Sequence, residues 1–146
     1  MHIIKNLRAG DFIDLDNYFR EIIEEDYSNI EKFYLLLLKE LPKDEQGYAD
    51  VMQEFINEMT SIKEEFVWIF NPPQMPTDGE QKQPTIGDEY RKEFAEDYGL
   101  YTEIIYLLSK ADPLKVDEVM QMKCEDFLFW AEYLLRKRFL NVVSKI

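Results

Sequence analysis

The sequence predicts an all-α fold, a compact multi-helix domain of five to seven helices with an internal linker rich in proline and glycine. The first observation is that apolar residues recur at helical spacing along most of the chain. A clear example is the run Leu100, Ile104, Leu107 and Leu108. The second is that prolines and glycines concentrate in one polar stretch, residues 71–87. The third is that a chain of 146 residues, 46% of them hydrophobic, fits one domain with a sizeable core.

The first ten residues predict an extended arm, because they hold no helical pattern and end at Gly10, which breaks regular structure. Asp11 is then the expected N-cap of a helix over residues 12–25, where aromatic and aliphatic residues keep the helical period. Acidic side chains fill the other positions. Their repulsion near a helix C-terminus predicts that this helix ends near Glu25.

The next two helices follow from a capping pattern and a proline. Ser28 begins a capping box, serine followed three residues later by glutamate, which predicts a helix over residues 29–41. Pro42 closes that helix. After a polar loop, apolar residues at helical spacing predict a helix over residues 46–70. A break near Ser61 and one uninterrupted helix are both compatible with this pattern.

The linker at residues 71–87 divides the chain into an N-terminal helical part, residues 1–70, and a C-terminal helical part, residues 88–146. Its prolines and glycines cannot sustain a helix or a central strand, so it is expected to be flexible and open to proteolysis. The two helical parts are expected to share one core. Its central residues are expected to be Phe33, Leu37, Leu38, Phe55, Ile104, Leu108 and Trp130.

Two long helices are expected in the C-terminal part, over residues 88–110 and 123–143. Between them, Asp112 and Pro113 match an N-cap followed by proline at the first helical position. They predict a short helix to about residue 120 whose buried side would include Leu114. The second half of the chain is therefore predicted to form a long helix, a short helix and a second long helix.

Composition restricts the function. A net charge of −13 repels phosphates, so binding to nucleic acid or to an anionic membrane is not expected. The single cysteine, Cys124, excludes an intrachain disulfide and favours a reducing compartment. No run approaches the roughly 18 apolar residues of a membrane span, and residues 1–11 hold no signal-peptide core. The expected location is the cytoplasm.

No set of residues predicts catalysis. Glu21 and Glu24 lie on one helical face, but a di-iron site would also need Glu-x-x-His motifs, and the only histidine is His2. Cys124 has no histidine that could act as its base. We therefore expect no catalytic residue, no metal ligand and no cofactor. A binding, scaffold or assembly role fits the sequence best.

Three short stretches carry a resemblance to a known family. They are FIDLDNY at residues 12–18, YGLY with IIYLL within residues 98–108, and KVDEVMQM at residues 115–122 with the acidic and Trp-Ala pairs that follow it. Together they are similar to motifs of small tail or baseplate assembly chaperones of bacteriophages. Leu100 stands where that family has a tryptophan.

This resemblance implies a non-catalytic protein that binds apolar helical surfaces of a phage tail, tape-measure or baseplate protein. It would act in the host cytoplasm or remain in the virion. Aromatic and methionine side chains adapt to varied apolar surfaces, so those flanking the central helices are the expected contacts. The predicted partner-binding residues are Tyr98, Tyr101, Tyr106, Met120 and Met122.

Two other functions stay open. An acidic inhibitor that mimics nucleic acid would present its carboxylates on one face to a DNA-binding protein, and its affinity would be lost in salt. An all-α metal-dependent nucleotide hydrolase would need further carboxylate pairs on facing helices to hold magnesium. A chaperone differs from both in deriving its binding energy from an apolar surface.

Overall fold

The computed structural model describes residues 3–73 and 101–144, and this part of the chain is helical without a β-strand. The predicted all-α class is confirmed. The seven α-helices of the described residues are α1 Ala9–Ile23, α2 Ile30–Leu38, α3 Glu45–Glu65, α4 Val67–Phe70, α5 Thr102–Leu108, α6 Val116–Gln121 and α7 Cys124–Val143. Among them, none has the length and hydropathy that crossing a bilayer would require. The predicted linker from residue 74 on, and the predicted helix before residue 101, lie outside the described residues.

The predicted extended arm is wrong for residues 3–10. Residues Ile4–Asn6 form a 3-10 turn, and Ile4 is fully buried. The backbone N–H of Ile4 donates to Glu58 Oε1 at 2.8 Å. Arg8 forms an isolated antiparallel bridge with Lys123. Local periodicity could not reveal these contacts, because both partners are distant in the sequence.

The starts of α1 and α2 differ from their predicted caps. Helix α1 begins at Ala9, so Asp11 lies in its first turn. There the negative carboxylate interacts favourably with the positive end of the helix dipole. The predicted capping box does not form, because the Ser28 N–H and hydroxyl both bond to Asp26 Oδ1. Helix α2 ends before the predicted position, since Lys39 adopts a left-handed backbone with φ 65°.

Helix α3 runs through Ser61 without a break, but the helix predicted over residues 46–70 is interrupted at Phe66, so neither alternative left open by the sequence is fully correct. Asp44 caps it by accepting the Gly47 N–H at 2.7 Å. Ser61 does not break it, because the Ser61 hydroxyl donates to the Asn57 carbonyl one turn earlier. The chain turns five residues later, at Phe66, and α4 follows.

The predicted cap and proline before α6 are confirmed. Asp112 Oδ1 accepts the Leu114 N–H at 3.0 Å, and Pro113 opens the 3-10 helix Pro113–Lys115 that leads into α6. The predicted burial of Leu114 is wrong, since 88% of this residue is exposed. The 3-10 geometry of this turn does not follow the α-helical spacing from which its inward direction was inferred. Val119 is the buried residue of α6.

The core joins both segments of the described chain. Phe33 packs edge-to-face on Phe55 at 4.9 Å, and Phe12 on Tyr101 at 5.3 Å. Of the predicted core residues, four are buried and two are partly buried: Phe33, Leu37, Phe55 and Ile104, then Leu38 and Leu108. The prediction for Trp130 is wrong, because α7 buries its opposite side, where Phe127, Leu128 and Ala131 lie.

Candidate protein-binding surface

The predicted partner-binding residues do not form one exposed patch. Tyr98 lies outside the described residues. Tyr101 is fully buried, so its predicted role as an exposed contact is wrong. Met120 and Met122 are partly buried against the core, and Tyr106 alone of the described four is exposed.

Tyr101 is buried because α1 offers a partner for its hydroxyl. The hydroxyl donates to Asp16 Oδ2 at 2.8 Å, and Arg20 forms an ion pair with the same oxygen at 3.0 Å. Asp16 itself is buried. Burial first, and then the neighbouring Asp16 charge, raise the pKa of Tyr101 well above its ordinary value. This contact attaches the start of the second described segment to α1 and has a structural role.

Helix α7 carries more exposed large apolar residues than any other described helix. Cys124, Phe127, Leu128 and Ala131 are buried on one side of it. Five large apolar residues on the other side are 42–57% exposed. We call them the α7 face: Phe129, Trp130, Tyr133, Leu140 and Val143. At about 100° per residue they fall within an arc of about 140° opposite the buried side.

Aromatic rings are grouped at the N-terminal half of the α7 face. The Trp130 ring lies 5.5 Å from that of Phe129 and 5.9 Å from that of Tyr133, both nearly perpendicular. Edge-to-face pairs of this kind are favourable in their own right. The three rings therefore form a preorganised aromatic cluster on the protein surface.

Charges flank the aromatic cluster in a polarised order. Glu125 and Asp126 are exposed in the first turn of α7, and Arg136 and Lys137 are exposed in its second half. At helical spacing, all four lie within the arc of the α7 face. The ion pairs of the described residues involve none of them. The neighbouring Arg138 points elsewhere and binds Glu103 of α5.

The sequence contains an indication of the α7 face that helical spacing alone does not reveal. Residues 127–135 are almost continuously apolar, so α7 has more apolar residues than one buried stripe needs. A helix that is apolar on two sides either lies inside a protein or binds something on its second side. Assigning Trp130 to the core concealed the second side.

Several carboxylates of the described residues make structural contacts. Glu21 accepts a hydrogen bond from the Asn29 side-chain amide at 2.8 Å. Glu58 lines a groove of about 280 Å³ with Glu54, Ser61 and the ion-paired Lys5 and Glu65, among others. Glu58 Oε2 is buried and has no hydrogen-bond partner. No cluster of His, Cys, Asp or Glu within residues 3–73 and 101–144 could hold a metal ion.

Cys124 begins α7 as a buried thiol. Burial first, and then the nearby Glu58 charge, raise its pKa from an ordinary 9.0 to about 12. In the unfolded chain the thiol ionises near its ordinary value, whereas in the folded chain it keeps its proton. The folded state therefore binds more protons between these values, and the stability contributed by the thiol decreases as the pH rises.

We expect this linkage to be measurable by urea denaturation at about pH 8 and about pH 10. The Cys124→Ala variant should lose about 1 kcal/mol less stability over this interval than the wild type. Tyr101 contributes in the same direction, so the difference between the two proteins isolates the thiol. An equal loss in both proteins would show that the thiol ionises alike in the folded and unfolded chains.

Comparison of the chain with protein-family models, with curated proteins and with solved structures gives no match. What the chain can bind must therefore be inferred from its own surface and charge distribution. Among the described residues, the α7 face is the one helix surface with several exposed large apolar side chains.

Proposed function

We propose that this chain is a non-catalytic assembly chaperone of a bacteriophage tail or baseplate, or a virion component of the same fold. Its α7 face would bind an apolar helical surface of a tail, tape-measure or baseplate protein. The observation that supports this proposal is the α7 face itself, with its five exposed large apolar residues. The rings of Phe129, Trp130 and Tyr133 contact one another, and a contiguous exposed apolar patch commonly marks an interaction site.

The spacing of the α7 face suits a helical partner. A helix–helix seam has alternating intervals of four and three residues. On the α7 face these intervals connect Phe129, Tyr133, Arg136, Leu140 and Val143. Such a seam, from Phe129 to Val143, can pack against an apolar helix over a length of about 22 Å. Tyrosine, tryptophan and arginine are the residues most often found at the centres of binding energy in interfaces.

The net charge of −13 supports the same role. A chaperone that covers apolar surfaces must keep itself and its complex in solution, and like charges on separate copies repel. Charges at the rim of an interface mainly steer association. Salt should therefore change the association rate of the complex more than its affinity.

We expect Phe129→Ser and Tyr133→Ser each to weaken partner binding by about 1–3 kcal/mol, because each removes an aromatic anchor from the α7 face. The measurement is a calorimetric titration against purified tail-tube, tape-measure and baseplate proteins of the same phage. Tyr27→Ser is the matched control, because Tyr27 and Phe129 are both 57% exposed and Tyr27 lies between α1 and α2. The control should bind as the wild type does.

The same titration, repeated at low and high salt, separates the other functions. An affinity that collapses in salt and ignores both α7 substitutions would reject the chaperone and favour the acidic nucleic-acid mimic. Hydrolysis of a nucleoside triphosphate with magnesium, lost in Glu21→Gln, would instead favour the hydrolase. Binding that depends on Phe129 and changes little with salt supports the proposal.

A further inference from the structure

The charges of the α7 face are arranged so that the face is complementary to itself. Its N-terminal end carries Glu125 and Asp126, and its second half carries Arg136 and Lys137. Two copies of α7 that run antiparallel bring the acidic end of each against the basic half of the other. Two parallel copies would instead oppose like charges at both ends.

One antiparallel register pairs the four charged residues and also pairs Phe129 with Tyr133. When Glu125 of one copy is opposite Lys137 of the other, Asp126 is opposite Arg136 and Phe129 is opposite Tyr133. The four charged pairs and the two aromatic pairs are then related by a two-fold axis that passes the exposed side of each helix at the level of Ala131 along the helix axis. A two-fold interface requires one surface patch to be self-complementary in this way.

We propose that the α7 face mediates reversible self-association of two copies of this chain, with their α7 helices antiparallel. The proposal uses the same surface as partner binding but does not depend on the identity of any partner. A partner helix would displace the second copy, so the two associations exclude each other. The dimer would cover the aromatic cluster until a partner is present.

The size of the interface makes this dimer weak. In this register the two α7 helices overlap over residues 124–138, which is a strip about 22 Å long and about 10 Å wide and is less than the roughly 800 Å² that each partner buries in a standard stable interface. The net charge of −13 on each copy opposes association further. A weak dimer of this kind dissociates readily, which leaves the α7 face free to bind a partner.

The test is sedimentation equilibrium of the full chain and of two charge variants, from micromolar to millimolar concentration. The wild type should rise in mean mass from 17.6 kDa towards twice that value. A basic variant, Glu125→Lys with Asp126→Lys, and an acidic variant, Arg136→Glu with Lys137→Glu, should each self-associate about tenfold more weakly, which corresponds to about 1.4 kcal/mol.

An equimolar mixture of the two variants should regain association, because each basic end then meets an acidic one. Circular dichroism of each variant checks its helix content. If the acidic variant loses helix, Arg136→Gln with Lys137→Gln replaces it. If the basic variant does, Glu125→Gln with Asp126→Gln replaces it, and each replacement is expected to associate about threefold more weakly than the wild type. A variant that had merely misfolded would not recover on mixing.

Three results would overturn the inference: a wild type that stays at 17.6 kDa throughout, folded variants that associate as the wild type does, or a mixture of folded variants that does not recover. Partner binding is measured separately with Phe129→Ser. A monomeric protein whose partner binding still depends on Phe129 would reject the dimer alone. A dimer whose partner binding ignores Phe129 would reject the proposed function alone.

Discussion

Replacing Phe127 with alanine is expected to lower the free energy of unfolding by about 3–5 kcal/mol. Phe127 is fully buried on the core side of α7, and its ring centroid lies 6.4 Å from that of Tyr101. Removing the ring loses its transfer free energy and leaves a cavity between α7 and the segment that holds Tyr101. Urea denaturation followed by circular dichroism measures the loss.

Trp130→Ala is the matched control for this experiment. Trp130 lies three residues further along the same helix, but it is 49% exposed and belongs to the α7 face. Its truncation should cost at most about 1 kcal/mol. Similar losses at Phe127 and Trp130 would mean that the orientation of α7 described above is incorrect and that the aromatic cluster packs inside the protein.

Replacing Tyr101 with alanine should have an effect of similar size, about 3–5 kcal/mol. The substitution removes a fully buried ring that contacts Phe12 and Phe127, and it takes the hydroxyl donor away from the buried Asp16. Tyr101→Phe separates the two contributions. It keeps the ring and should cost about 1–3 kcal/mol, because an acceptor then loses its donor in the interior.

Urea denaturation of both Tyr101 variants decides between the sequence-based prediction and the structure. The sequence placed Tyr101 among exposed partner contacts, which implies that Tyr101→Ala leaves the fold intact and weakens partner binding. The structure implies a destabilised protein. A Tyr101→Ala variant as stable as the wild type would contradict the buried contact between Tyr101 and Asp16.

Most helices were predictable, because a helix with one apolar stripe shows apolar residues at helical spacing within its own sequence. Helix α3 has this pattern together with its cap at Asp44, and its observed span, Glu45–Glu65, differs from the prediction mainly in the turn at Phe66. Residues 3–10 were not predictable in this way. Their structure depends on contacts with Glu58 and Lys123, which are distant in the sequence and cannot be predicted from local spacing.

The candidate binding surface was harder to predict than the fold. An aromatic residue can be a core residue or a surface anchor, and the choice depends on what the fold places opposite it. Tyr101 is inside because Asp16, which is 85 positions away, accepts its hydroxyl. Trp130 is outside because α7 already buries Phe127, Leu128 and Ala131. The helical spacing was interpreted as one apolar side that included Trp130, and it did not show which side the core uses.

The fluorescence of Trp130 tests most directly whether the α7 face binds the partner. The chain has two tryptophans, so Trp68→Phe leaves Trp130 as the only one. Acrylamide should quench this half-exposed indole in the protein alone, and quenching should fall as a tail, tape-measure or baseplate protein is added to saturation. Saturable binding of the partner that leaves the quenching of Trp130 unchanged would contradict the proposed role of the α7 face.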